Sequence, residues 1–335
     1  MPSQPRGRLC SALVRQTDGM PGLFPRIEPQ QSGLLDLGSG QRIYWEVCGN
    51  PDGKPAVVLH GGPGSGCTEG ARRVFDPAAY RIVLFDQRGA GRSLPRVGPF
   101  TDLSANTTSH LLADMDTLRE FLGIERWVVR GVSWGVTLGL VYAQAHADRV
   151  VAMVLSSVAM TRPKDIHWLY HEVGRFYPEA WHRFRRGVPE AERDDLVGAY
   201  HRLLHDQSEL KVRERAAKDW CAWEDAASPM PDGAPNPRYD DPAFRMSFAR
   251  TVTHYFHHQA WLAESQILND AGRLAGIPGV LIHGRSDLGG PLDVAWELAQ
   301  VWPDAELQVV DTGHTGGDAM TAATVEATNR FAILA

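Results

Sequence analysis

Short apolar runs rich in β-branched residues recur along the chain: AVVLH at 56–60, RIVLF at 81–85, WVVRG at 127–131, VVAMVLSS at 150–157, GVLIHG at 279–284 and ELQVV at 306–310. Continuous runs of this length fit strands buried on both faces of a sheet. Ahead of them, LLDL and QRIYWEV flank a GSG turn and read as strands, and GNPDGKP is turn chemistry. A helix is predicted where Leu111, Leu112, Met115, Leu118 and Leu122 recur at helical spacing. Asn106-Thr107-Thr108 can cap it and Gly123 closes it. GVTLGLVYAQAHA at 135–147 is the next helix, and another is expected from about 291 to 301. Alternating strand and helix is the signature of a parallel α/β sheet.

That rhythm stops near 160 and resumes near 266. The intervening stretch is charged and aromatic, with Trp168, Trp181, Trp220, Trp223 and Trp261 in helical patterns and a Pro-rich loop, SPMPDGAPNP, at 228–237. It reads as a helical cap, 160–265, inserted into a core of 27–159 and 266–335. A lid over an active site fits the tryptophans better than a protein-binding surface. Residues 1–26 lack periodicity and are expected to form a loose extension, with Met20 an alternative start to Met1.

Composition narrows the classes. With 335 residues, 43% hydrophobic, the chain can build one large domain or a domain with an insertion. The net charge is −6 and no Lys/Arg stripe is present, which argues against nucleic acid as partner. RFRR and KVRER read as solvated helix faces. No apolar run has the length of a membrane span, and LCSALV is too short for a secretory segment. The four cysteines show no C-x-x-C spacing, which points away from zinc or a disulfide framework and fits a reducing cytoplasm. His254, His257 and His258 could share a helix face, but no acid or cysteine pattern completes a metal site, and none is expected.

The chemistry centres on RGVSWGVTLGL at 130–140. Gly131-x-Ser133-x-Gly135 is either a Gly/Ser turn or a strained strand-to-helix turn that presents a nucleophile. A serine hydroxyl needs a base, and a histidine base needs an acid to fix its tautomer. In an open α/β sheet these come from loops at the carboxyl ends of strands, in the order serine, acid, histidine. Asp287 follows the run at 279–284, and His314 follows the run at 306–310. The three together predict a triad. HGGPG at 60–64 follows another strand, where an oxyanion donor belongs, and the N–H of Trp134 is the second donor.

These stretches resemble the prolyl iminopeptidase family of α/β-hydrolases. The resemblance lies in IEP at 27–29, RIYWEVCGNPDGKPAVVLHGGPGSGC at 42–67, YRIVLFDQRGAGRS at 80–93, NTT at 106–108, GVSWGVTLGLVYAQ at 131–144, AAKDWCAWE at 216–224, and HGRSD with GH beyond it. It implies an α/β-hydrolase fold, a mostly parallel sheet flanked by helices with a helical cap. It also implies no metal or organic cofactor, and cleavage of the amide beside an N-terminal residue. On this resemblance Ser133 is the nucleophile, His314 the base, Asp287 its orienting acid, and Gly62 and Trp134 mark the oxyanion donors. Asp86 and Arg88 are expected to brace the loop beside them. Glu224 is expected to grip the substrate's free amine. The chain departs from the family where substrate is read: Val252 stands where a second carboxylate belongs, Ala159 and Leu169 replace aromatics, Gly290 falls where Cys is common, and Phe256 is kept.

A small-molecule or short-peptide substrate is expected, with no nucleic-acid or membrane partner and an unassigned oligomeric state. The departures leave two alternatives open: an esterase, amidase, thioesterase or acyl-transfer enzyme acting on a substrate without a free amine, and a non-catalytic ligand-binding member of the same fold.

Overall fold

A computed structural model describes residues 22–334 of the chain. Most of the expected N-terminal extension, with Met20 and Cys10, lies outside the described residues. Residues 22–26 are tied down: Leu23 is buried, and Phe24 and Arg73 exchange hydrogen bonds at 2.9 and 2.7 Å.

The chain begins with β1 (Gln31–Asp36), β2 (Arg42–Gly49), β3 (Lys54–Leu59) and β4 (Tyr80–Phe85). It continues through α1 (Thr108–Phe121), β5 (Trp127–Val132), α2 (Trp134–Ala145) and β6 (Val150–Ser156). Five helices follow: α3 (Pro163–Tyr170), α4 (Pro178–Arg186), α5 (Leu196–His205), α6 (Leu210–Ala227) and α7 (Pro242–His257). The chain then runs through α8 (Gln266–Asn269), β7 (Gly279–Gly284), α9 (Leu292–Val301), β8 (Ala305–Val310) and α10 (Asp318–Ala332). The eight strands form one sheet in the order β1-β2-β4-β3-β5-β6-β7-β8. The pairs β1–β2 and β2–β4 are antiparallel and the rest parallel.

The two faces of the sheet explain the continuous apolar runs. Along β5, Trp127 and Val129 join one cluster with Leu111, Met115 and Leu118 of α1 and Leu138 of α2, while Val128 joins Phe75, Tyr80 and Phe331 on the other face. Side chains alternate across a strand, so a strand covered on both faces is apolar at every position. The helix α10 shows little periodicity in DAMTAATVEATNRFA, yet Met320, Thr324, Ala327, Thr328 and Phe331 make its buried side.

The helices α3–α7 pack on a third cluster of their own. Its centre is a ring stack in which Phe184 lies 4.5 Å from Tyr200 and 5.5 Å from Trp223. Trp220 and Trp223 thus belong to this core and Trp168 and Trp181 pack against it, whereas Trp261 is exposed. After α7 the chain returns to the sheet, where Gln144 of α2 donates to the Ile267 carbonyl at 2.7 Å.

Candidate active site

Ser133 is the single residue between β5 and α2, and its backbone takes φ 52° and ψ −119°. A positive φ in a non-glycine residue is strained. The flanking glycines explain how the turn closes. A Cβ on Gly131 would meet the Gly135 carbonyl oxygen at 2.4 Å, and one on Gly135 would meet the Leu59 oxygen at 2.1 Å. The motif is a close approach of three backbones. Gly135→Ala is therefore expected to destabilise the fold by about 2–3 kcal/mol despite alanine's higher helix propensity, read from the midpoint of urea unfolding.

His314 and Asp287 arrive at the same point from the loops after β8 and β7. His314 Nε2 lies 3.0 Å from Ser133 Oγ, and His314 Nδ1 lies 2.9 Å from each Asp287 oxygen. Asp287 is buried, and Gly290 N–H donates to it at 2.9 Å. Burial opposes charge on both partners, but their mutual attraction wins: the Asp287 carboxyl is held below its usual range. His314 is raised above the usual imidazole value, because the charges of Asp287 and Glu224 and the Asp287 hydrogen bond outweigh desolvation. The geometry can draw the proton off Ser133 and hold the resulting imidazolium.

The supporting residues were less visible in the sequence. His283 on β7 accepts from Val158 N–H at 3.0 Å and donates to the Gly290 carbonyl at 2.8 Å, which fixes the Asp287 loop. Ser157 donates to the His314 carbonyl at 2.6 Å. In the HGGPG turn, Gln87 N–H donates to His60 Nε2 at 3.0 Å, so His60 Nδ1–H faces the Gly61 carbonyl at 2.9 Å. Gln87 also donates to the His60 carbonyl and accepts from Trp134 Nε1 at 2.9 Å. This joins the two segments expected to carry oxyanion donors. Asp86 holds the far end of the loop through Cys67 N–H at 2.7 Å, whereas Arg88 turns away to pair with Asp114 of α1.

A cavity of about 630 Å³ opens beside Ser133, lined by Gly62, Trp134, Ala159, Leu169, Glu224, Phe256 and His314 among others. Two expected pocket residues stand elsewhere. Val252 is buried in the core of the inserted helices, because a short side chain between Phe248 and Phe256 does not reach the cavity that both rings line. Gly290 lies behind the cavity, where its N–H and carbonyl brace Asp287 and His283. The cavity carboxylates are Glu224 and Asp165, and Asp165 is paired with Arg162 at 2.8 Å. Glu224 accepts from a neutral group, the Tyr170 hydroxyl at 2.5 Å, and is in no ion pair among the described residues. Desolvation raises its pKa, against the Tyr170 hydrogen bond and the nearby His314.

The segment 160–265 contacts three loops of the site. Trp168 Nε1 donates to the Leu288 carbonyl at 2.9 Å, Thr315 Oγ1 to Pro229 at 2.5 Å, and Arg238 to the Ser65 carbonyl. Arg130, the one charged residue in β5, also borders the cavity. It is buried, its Nε has no partner, and desolvation lowers it to about 10. A lone arginine inside WVVRGV was the signal available for it. Among the described residues Cys48, Cys67 and Cys221 are free, and no helix is long and apolar enough to cross a membrane.

Comparison with known proteins places the chain in a family. The family model described as alpha/beta hydrolase fold matches residues 54–317. A probable proline iminopeptidase of Streptomyces coelicolor is 52% identical over 317 residues, covering 92% of this chain and 98% of that protein. A proline iminopeptidase of Xylella fastidiosa is 46% identical, covering 88% and 93%. Among solved structures, VinJ superposes with a TM-score of 0.60 at 21% identity, covering 91% of this chain and 99% of that one. The proline iminopeptidase of Mycobacterium smegmatis superposes with a TM-score of 0.57 at 19% identity, covering 90% and 99%. The chain belongs to the proline iminopeptidase family of α/β-hydrolases.

Proposed function

We propose that the chain is a serine peptidase that removes an N-terminal residue, proline or one of similar size, from short peptides through an acyl-enzyme on Ser133. The observation that carries this reading is the Ser133–His314–Asp287 relay beside a cavity holding the half-buried carboxylate Glu224. His314 Nε2 takes the Ser133 proton as Oγ attacks the carbonyl carbon. The backbone N–H groups of Gly62 and Trp134 receive the oxyanion; Trp134 is the first residue of α2, where N–H groups lack intrahelical partners. His314 then protonates the leaving amine, and water, deprotonated by the same histidine, releases the acid. Glu224 meets the substrate ammonium, and the helices of 160–265 act as the cap that holds it there. The free cysteines fit a cytoplasmic setting.

The test is a panel of Pro-, Ala- and Leu-arylamides, their N-acylated forms and an aryl ester, with Ser133→Ala as blank. A preference of tenfold or more for Pro-arylamide supports the proposal. Cleavage of the ester or a blocked amide without Pro-arylamide would favour the second reading, a hydrolase for substrates without a free amine. That reading rests on Ala159 and Leu169 in the cavity wall.

The pH profile follows from His314. Catalysis needs its neutral form, and its pKa is raised. The acid limb of kcat/KM should therefore fall above the ordinary imidazole value of about 6.5, with activity rising as pH increases through it. A rate flat from about pH 5 to 9 would remove His314 as the base.

A further inference from the structure

Outside the active site, five histidines gather where α5 packs on the end of α7. His205 and His257 each stack on His201 with ring centres 4.2 Å away. One ring nitrogen from each of His201, His254 and His258 lies within 4.8 Å of the other two. His254 Nε2 faces the Asn106 carbonyl at 3.1 Å, and His258 Nδ1 faces the His254 carbonyl at 2.8 Å. A carbonyl only accepts, so those nitrogens carry the protons. The lone pairs are left on His254 Nδ1 and His258 Nε2. An imidazole whose second N–H is held by a carbonyl is the usual arrangement of a metal ligand. Trp261 stacks on His258 with ring centres 4.9 Å apart. Of the cations that bear on the cluster, Arg202 pairs with Glu192 at 2.6 Å, and Arg250 is turned to the Gly98 carbonyl and His205.

We propose that His201, His254 and His258 form a site for a borderline divalent transition ion of the zinc class, with water as the fourth ligand. Nitrogens bound to zinc at about 2.0–2.1 Å in a tetrahedron stand roughly 3.3 Å apart, so the ligands must close in by up to about 1.5 Å. His258 can supply that movement, since it is exposed and lies just beyond α7. The third ligand comes from a different helix. This is why a pattern read along His254, His257 and His258 alone looked incomplete. An ion here would tie α5 to α7, the helix that carries Phe248 and Phe256 into the cavity wall.

The test uses the full chain, stripped with EDTA and titrated with CoCl2. The proposal expects one cobalt per chain with the intense visible absorption of a four-coordinate ion. Zinc at about 100-fold over its Kd should raise Tm by roughly 5 °C. His258→Ala and His201→Ala should each weaken binding by more than about tenfold, and the exposed control His182→Ala should not. Weak six-coordinate absorption, or unchanged binding in the His201→Ala/His258→Ala double variant, would overturn it. Either result is read without reference to hydrolysis, so it stands apart from the peptidase proposal.

Discussion

Ser133→Ala is expected to lower kcat for Pro-arylamide by about 10⁵-fold or more while KM stays within a few-fold. The side chain contributes one atom, Oγ, and in the proposed mechanism that atom forms the acyl bond; His314 has nothing to deprotonate without it. Substrate binding does not depend on Oγ. The cavity walls, Glu224 and the donors at Gly62 and Trp134 remain, so the loss should fall on kcat. The residual rate would come from the oxyanion donors and binding alone, about 10³–10⁴ over water. Stability should hardly change. The strained φ of 52° is imposed by β5, α2 and the crossing at Leu59, not by the hydroxyl. Stopped assays on purified variant and parent, with thermal melts alongside, give both readouts. A variant that keeps more than a tenth of parental kcat would end the acyl-enzyme account, whatever the fold.

The parts of this site that the sequence disclosed are those fixed by backbone. Gly131, Ser133 and Gly135 are visible because three chains meet at distances that exclude a Cβ. Asp287 and His314 are visible because each sits one turn past an apolar strand run, fully buried in β7 and partly buried in the edge strand β8, and parallel sheets collect such turns at one edge. The sheet was legible for the same reason: burial on both faces leaves β7 apolar throughout, apart from His283. What escaped depends on side-chain reach. Val252 shares a helix side with Phe248 and Phe256, yet only the rings extend to the cavity. Gly290 sits near the cavity by position but acts through its backbone. Gln87 carries no charge or motif position to mark it beside Asp86 and Arg88, although it is the residue that joins HGGPG to Trp134. His201 lies on another helix from His254 and His258, and no spacing rule connects them.

Glu224→Gln is the second large effect, and it separates the two readings of the substrate. For a free-amine arylamide, kcat/KM should fall by about 10²–10³-fold, because a desolvated ammonium left without its carboxylate loses roughly 3–4 kcal/mol. Glutamine keeps the shape and an acceptor for Tyr170, so the change tests charge more than packing. An N-acylated arylamide or an aryl ester carries no cation, and its cleavage should change less than about threefold. The variant should also move the acid limb measured with the ester. Glu224 is one of the charges that raise His314, and its removal should let the His314 pKa fall, so ester hydrolysis should persist to lower pH. For the free amine, the acid limb has a second source. Desolvation raises Glu224 itself, so protonation of that carboxyl on acidification costs ammonium binding before the usual carboxylate range is reached. If amide and ester respond alike, with no displacement of the ester's acid limb, Glu224 is a partner of Tyr170 alone and the amine-reading role is lost. If the amide alone collapses and the ester profile shifts downward, one half-buried carboxylate both selects the substrate and tunes the base.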